Sequence, residues 1–541
     1  MKRGNHRPLL AAVLAGVLLF SGCTTQGTTG GGGTGTGTPT ATPTAGAGDA
    51  ADPTKPDPDK KYTITWVTYQ LAPLDENAKM IQYWNEQFNV DLQVWNIDNS
   101  NSEEILSLKF ASGEIPDVLR IGSVSQFQKF SDQQILAKIP EGMAETYMPN
   151  VVTQLEKELP GILRYGMLNG ETYAIPAEVR THNLFRAPIV YRGDWMENVG
   201  ITKTPETLDE LETLLYKFAK EDPDGNGKAD TYGLSQTALN AVYGAFGYVR
   251  GQWNDKDGKL AYSSTQPEMK QALAVLNKWY KDGVLDPEFI TGENKGGYWA
   301  LSHSFIEGRI GMSSMGSYYH WSPLNLEAEK GANPKEMAAT NPGMENELAF
   351  GLPPTGPDGK SGMPKGNLFS GVMLAFGSHM EQEQDKMAKV MEIHEYLSGT
   401  SEKNYFTAWF GIEGEDWNYS PSGIPVAREG LEPQQMSAMG AHGVLKIFAT
   451  MQYDSLLDKA RYNWGKENKF DVGGLESKLV GTLPSAGIYG TETGKIEDEA
   501  FIGIITGDKP LDYFDEFVKQ WGAAGGDVLT KEANEWYENF K

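Results

Sequence analysis

Cysteine is almost absent. Of 541 residues only Cys23 carries a thiol, so no internal disulfide can form and packing alone must hold the core. Histidine is scarce, with seven residues scattered and none paired at metal-ligand spacing. No His-Glu-x-x-His, Gly-x-Ser-x-Gly or Walker-type string occurs, which removes the commonest hydrolase and nucleotide-binding signatures. Among 72 acidic residues some pair will fall at a glycosidase-like separation by chance, so acid count is no argument for glycoside hydrolysis. An enzyme is therefore not expected. Positive charge is also in deficit: 47 Lys and Arg leave the chain at −25. Such a surface repels phosphate backbones, which disfavours nucleic-acid binding. After the first residues no long apolar run appears, so no second membrane-crossing segment is expected.

The start of the chain differs from the rest. Lys2, Arg3 and Arg7 precede an apolar run from Leu9 to Phe20. That run is too short to span a bilayer and suits the core of a signal peptide over residues 1–22. The string Leu19-Phe20-Ser21-Gly22-Cys23 follows. It resembles the bacterial lipobox, whose cysteine becomes the lipidated, palmitate-bearing first residue; that pattern usually has Leu where Phe20 stands. Cleavage before Cys23 removes three positive charges and no acids, leaving −28. Acyl chains at Cys23 would anchor the protein to the extracellular face of the cell membrane without embedding it. Residues 23–60 are Gly, Thr, Pro, Ala and Asp with little to bury, and read as a disordered tether.

The globular part begins near Tyr62. The stretch 62–69 alternates β-branched and aromatic residues, as a strand does. Ala78, Ile81, Trp84 and Phe88 recur at helical spacing within 75–89. A strand is predicted over 90–97, a helix over 102–111 and a short strand over 117–121. Later helices are predicted over 208–220, 266–281, 381–397, 511–521 and 530–540. Alternating strand and helix predicts an α/β fold with mostly parallel sheet, and the length exceeds what one core supports. No internal repeat is visible.

Asp222-Pro-Asp224-Gly-Asn226-Gly-Lys228-Ala-Asp230 is the sharpest chemical motif. Side-chain oxygens recur at alternate positions and Gly227 takes the sixth place, as in the first part of an EF-hand calcium loop. Lys228 would offer its backbone carbonyl. The twelfth place, a bidentate Glu in an EF-hand, is Gly233 here. A metal-free Asx turn is the competing reading. Structural Ca2+ is the expectation.

Several strings together resemble the family-one extracellular solute-binding proteins, in the branch of large lipoproteins that includes alginate- and pectin-oligosaccharide binders. They are Ala111-Ser-Gly-Glu-Ile-Pro-Asp117, Asn169-Gly-Glu-Thr-Tyr-Ala-Ile-Pro176, Tyr191-Arg-Gly-Asp-Trp195, Thr204-Pro-Glu-Thr-Leu-Asp-Glu210, Phe305-Ile-Glu-Gly-Arg-Ile-Gly-Met312, Gly411-Ile-Glu-Gly414 and the helix pair after Lys509-Pro510. In this order they cover nearly all of residues 62–541. The resemblance implies a periplasmic-binding-protein-like fold: two α/β lobes joined by a multi-crossing hinge, with the ligand between them. Crossings are placed near 175–180, 291–303 and 369–375. The N-terminal lobe is then 62–176 plus 300–370, and the C-terminal lobe 177–299 plus 371–541. The implied function is capture of an oligosaccharide by hinge closure for the permease subunits of an ABC importer, by a monomer. The alternatives are a surface sensor of the same fold for another solute, or a secreted glycoside hydrolase. In the alginate-binding branch an acid follows the counterpart of Asp230, where Thr231 stands here.

Sugar rings stack on aromatic faces, and their hydroxyls need charged or amide partners. Most aromatics in a chain of this size are core, so only those near the expected crossings are candidates. These are Trp321 and Tyr318 after Gly316, Trp253 on a second-lobe loop, and Trp409 and Trp417 flanking Gly411–Gly414. Glu178, Arg180 and His182 would line the cleft floor. Trp66 and Asn99 would reach it from first-lobe loops.

Overall fold

The computed structural model describes residues 52–98, 102–328 and 330–538. The signal peptide, Cys23 and Asn99 lie outside these residues, as does most of the expected tether. The last part of that tether is docked rather than free: Lys60 pairs with Asp385 at 2.6 Å, and the Asp57 N–H donates to the Tyr62 hydroxyl at 2.8 Å.

Four strands open the first sheet: β1 (Tyr62–Gln70), β2 (Val90–Asp98), β3 (Val118–Ile121) and β4 (Ala174–Pro176). Four more build a second sheet: β5 (Val190–Arg192), β6 (Tyr232–Leu234), β7 (Ile310–Ser313) and β8 (Leu348–Phe350). The chain then returns to the first sheet with β9 (Met373–Phe376). The strand orders are β2-β1-β3-β9-β4 and β8-β5-β7-β6. β1 runs parallel to β2 and β3, whereas β9 is antiparallel to β3 and β4.

Local sequence explains these elements. Between β1 and β2 the helix Lys79–Phe88 buries Met80, Trp84 and Phe88, one per turn, against the sheet. It stops at Asn89, whose left-handed φ of 52° is tolerated by a short amide side chain. The helix Leu208–Lys220 starts with a reciprocal cap between Thr207 and Glu210 and buries Leu211, Leu214, Leu215 and Phe218. Each lobe has its own core. Residues 62–179 and 369–448 supply one; residues 189–363 and 483–533 supply the other. Among the described residues no helix is long and apolar enough to cross a membrane.

This division corrects the expected boundaries. Residues 300–370 carry β7 and β8 and belong to the second sheet, while 371–450 carry β9 and return to the first. The expected crossing at 291–303 is instead a second-lobe loop tied down by one buried carboxylate. Glu293 accepts from the Thr237 N–H at 3.0 Å and the Ser302 hydroxyl at 2.6 Å. The actual crossings lie side by side at 177–187, 364–370 and 449–470. The Val179 N–H donates to Ala449 O at 2.9 Å, the Arg180 N–H to Leu368 O at 2.9 Å, and the Arg186 N–H to Phe470 O at 2.9 Å. The third crossing escaped the sequence reading because it holds two short helices, Met451–Leu457 and Lys459–Glu467, rather than an extended strand.

Candidate functional site

The three crossings form the floor of a cleft between the lobes. Glu178 and Arg180 stand on the first crossing and join side chain to side chain at 3.0 Å. The Ser370 hydroxyl, from the second crossing, donates to the same Glu178 oxygen. Although burial alone would raise it, the Arg180 charge and these hydrogen bonds hold the Glu178 carboxyl below its ordinary value. Asp454, on the third crossing, accepts from Tyr405 at 3.4 Å. Lys446 donates to the other side of the Tyr405 hydroxyl and lies 4.6 Å from the Trp409 ring centre. Burial pushes the Lys446 ammonium down to about 8, against the pull of Asp454 and Glu178. Arg120, on β3, faces the same group of charges beside Tyr69.

Above this floor are two neighbouring cavities. One, of about 280 Å³, is lined by Thr181, His182, Tyr319, Asp454 and Arg461. The next, of about 320 Å³, is lined by Tyr298, Tyr319, His320, Lys335 and Arg461. Tyr319 and Arg461 belong to both walls, and the guanidinium sits over the Tyr319 ring at 5.6 Å. Tyr298 and Trp299 project from the adjoining loop and are 49% and 58% exposed.

The structure sorts the expected ligand residues into three groups. Glu178, Arg180 and His182 stand on the first crossing, where His182 lines the first cavity, and Trp409 stands half-buried between Lys446 and His442. Trp321, Trp417, Trp253 and Trp66 do not; they are core. Trp321 packs edge-on against Phe305, and its indole N–H donates to Met315 O at 2.8 Å. Trp417 donates to Gly411 O at 2.9 Å. Trp253 is enclosed by Tyr262 and Trp521, and Trp66 by His394. Tyr318 is buried between Phe185 and Trp464 and forms the back wall of the first cavity. Sequence reading missed Arg120, Lys446, Tyr319, Tyr298, Trp299 and Arg461. One signal was available. Residues 318–321 form a tight 3-10 turn, in which neighbouring side chains point apart. If Tyr318 and Trp321 face inward, Tyr319 must face out.

The acidic loop closes on itself through its own side chains. The Asn226 N–H donates to Asp222 at 3.1 Å, and its side-chain amide to Asp224 at 2.7 Å and Asp230 at 3.2 Å. The Lys228 N–H returns to Asn226 at 2.8 Å. Gly227 sits at φ 77°, a turn that glycine makes without strain. Burial, then the neighbouring carboxylates of Asp222 and Asp230, push the Asp224 carboxyl up. Oxygen side chains at this spacing are the ligand type that a hard cation takes. A second acidic group, Asp117 with His379 and Glu383, fits none. The Lys386 ammonium already holds its centre, 3.1 Å from Asp117 and 2.7 Å from Glu383.

Comparison with known proteins gives this geometry a context. A family model described as bacterial extracellular solute-binding protein matches residues 68–382. The polygalacturonan/rhamnogalacturonan-binding protein YtcQ of Bacillus subtilis is 24% identical over 90% of this chain and 93% of its own. A solved HMO-binding, ABC-transporter-associated solute-binding protein of Bifidobacterium longum infantis superposes with TM-score 0.58 at 15% identity. That match covers 89% of this chain and 99% of the other. An EF-hand mutant of the Streptococcus pneumoniae ABC-transporter substrate-binding protein FusA, in complex with fructo-nystose, gives TM-score 0.51 at 16% identity. It covers 88% of this chain and 99% of the other.

Proposed function

The chain belongs to the bacterial extracellular solute-binding protein family, and we propose that it captures an oligosaccharide outside the cell for an ABC-type importer. The observation that carries this reading is the architecture: two α/β lobes joined by three adjacent crossings, with cavities lined by aromatic and polar groups of the second lobe and of the crossings. A ligand that touches both lobes binds the closed arrangement better and shifts the population toward it. The permease subunits then have a closed shape to recognise. Relatives that bind polygalacturonan and fructo-nystose support a sugar ligand. Two side-by-side cavities sharing Tyr319 suit several linked rings better than one. Lipid at Cys23 would keep the binder at the membrane surface. A returned, uncleaved ligand separates this reading from a hydrolase. The test is a thermal-shift screen of residues 24–541 against neutral and acidic oligosaccharides, followed by analysis of the recovered sugar. A stabilising sugar recovered intact is the expected result; hydrolysis of it, or no shift across the panel, refutes the reading.

The acidic loop is proposed to hold structural calcium through Asp222, Asp224, Asn226, the Lys228 carbonyl and Asp230. Only the native state presents these ligands together, so calcium at about a hundred times its Kd adds roughly 2.7 kcal/mol of stability. Chelation should lower the melting temperature, and Asp224→Ala should abolish that response. A melting curve indifferent to both chelator and calcium would rule the site out.

A further inference from the structure

Tyr405 stands between a buried cation and a carboxylate of the first cavity. Its ring is completely buried, on the helix Glu402–Phe410. On one side the Lys446 ammonium donates to its hydroxyl at 2.5 Å and lies 3.8 Å from its ring centre. On the other, the hydroxyl donates to Asp454 at 3.4 Å. Asp454 lies on the helix Met451–Leu457 of the third crossing and lines the cavity of about 280 Å³. This chain of hydrogen bonds has a direction. An ammonium offers three donors and no acceptor, so the phenol oxygen accepts from Lys446 and its own hydrogen points elsewhere. Among the described residues, the acceptor it meets is Asp454. Loss of one proton gives Lys446 a lone pair, 2.5 Å from the phenol oxygen where Asp454 is 3.4 Å away. The hydroxyl then turns toward the amine, and Asp454 loses its donor. Lys446 is 7% exposed, and a buried ammonium bonded to a neutral phenol is unfavourable for stability. An apolar side chain would fill the same place more comfortably.

We infer that Tyr405 is a positioning residue for solute binding: it orients the Asp454 carboxylate at the wall of the first cavity, and the charge on Lys446 sets the direction in which its hydroxyl donates. The inference rests on the reading of that cavity as part of the solute site. The backbone of the Asp454 helix is fixed separately. Glu158, from the first lobe, accepts the Met451 N–H at 2.8 Å and the Gln452 N–H at 2.9 Å. What the phenol adds is the aim of the carboxylate, whose remaining lone pairs are open to sugar hydroxyls. Other charges face the pair from every side. Asp454 and Glu178 favour the ammonium and Arg120 opposes it. Burial, followed by Asp454, Glu178 and Glu158, keeps the Tyr405 phenol protonated. Burial, and to a lesser extent Lys446, holds His442 below its ordinary value, so it is neutral above pH 7. Burial brings the Lys446 ammonium down to about 8, and its charge therefore changes between pH 7 and 9.

The experiment is isothermal titration of residues 24–541, with calcium present, against nystose and trigalacturonate at pH 7, 8 and 9. Neither sugar changes its charge over this range. For whichever binds, affinity should fall about two- to tenfold from pH 7 to pH 9, the worth of one hydrogen bond. Lys446→Met has neither charge nor lone pair, so the hydroxyl keeps Asp454 as its acceptor. Its affinity should stay flat across the range, near the pH 7 value of the unaltered protein, while the melting temperature without sugar stays level or rises. Lys446→Arg, charged throughout, should also be flat and serves if the Met variant folds poorly. Tyr405→Phe should bind about two- to tenfold more weakly at pH 7 and show no further fall. A pH profile unchanged in both Lys446 variants, or full affinity in Tyr405→Phe, overturns the positioning role and leaves the oligosaccharide reading standing. Binding of neither sugar at any pH removes both.

Discussion

Trp321→Ala should destabilise the protein by roughly 3–5 kcal/mol, the usual cost of emptying a large aromatic site in a core. In a lobe of this size that lowers the melting temperature by about 10 °C. The indole is completely buried, meets the Phe305 ring edge-on at 5.3 Å, and gives its N–H to Met315 O. Removing it opens a cavity and leaves a half-buried carbonyl without its donor, and both effects act in the same direction. Its neighbour supplies the contrast. Tyr319 faces the cavities, so Tyr319→Ala should leave stability within about 0.5 kcal/mol and weaken ligand binding. Denaturant melts and titrations on the two variants decide the matter. If Trp321→Ala kept its stability and lost affinity, the indole would belong to the cleft after all.

Arg186→Ala should be the most damaging change in the hinge. Arg186 is 1% exposed, and among the described residues no ion pair within 4 Å reaches its guanidinium. It spends its donors on three backbone carbonyls: Val472 at 2.8 Å, Ala187 at 2.9 Å and Gly351 at 2.9 Å. Its cation also lies over the Phe470 ring at 5.6 Å. Burial pulls the guanidinium down to about 10, still charged at neutral pH. Alanine leaves three acceptors without donors; the buried one, Gly351 O, costs about 1–3 kcal/mol before relaxation, and the emptied space of a buried side chain adds to it. A loss of at least about 3 kcal/mol is expected, with the crossing at 472 loosened from that at 186. Arg186→Lys should not rescue it, because an ammonium on a flexible stem cannot reach three divergent carbonyls as a planar fork does. Hydrogen exchange at residues 186 and 470–472 would report the loosening. Unchanged protection there, with unchanged stability, would show that the hinge does not depend on this residue.

Much of the fold was legible because the relevant signals are local. Helical spacing located 102–111 and 208–220 to the residue, and the strand at 62 was placed within one residue of its end. The EF-hand-like loop was readable because its oxygens are spaced along a single short string. Lobe membership was not readable in the same way. It depends on which distant segment a strand pairs with, and β7 and β9 carry similar apolar runs although they enter different sheets. The cleft aromatics were misassigned for a related reason. Trp321 and Tyr319 differ by two positions in one turn, and only packing decides which of them is inside.

The interleaved lobes also bear on how the chain is assembled. β3 keeps one edge open until β9 is made, and β9 follows all four strands of the second sheet. Pairing between segments so far apart forms slowly, and an unpaired edge invites association with other chains. Completion of the first sheet is therefore timed by topology: its order β2-β1-β3-β9-β4 waits for a strand that follows every strand of the second sheet, so the first lobe is the later of the two to close its hydrogen-bond ladder.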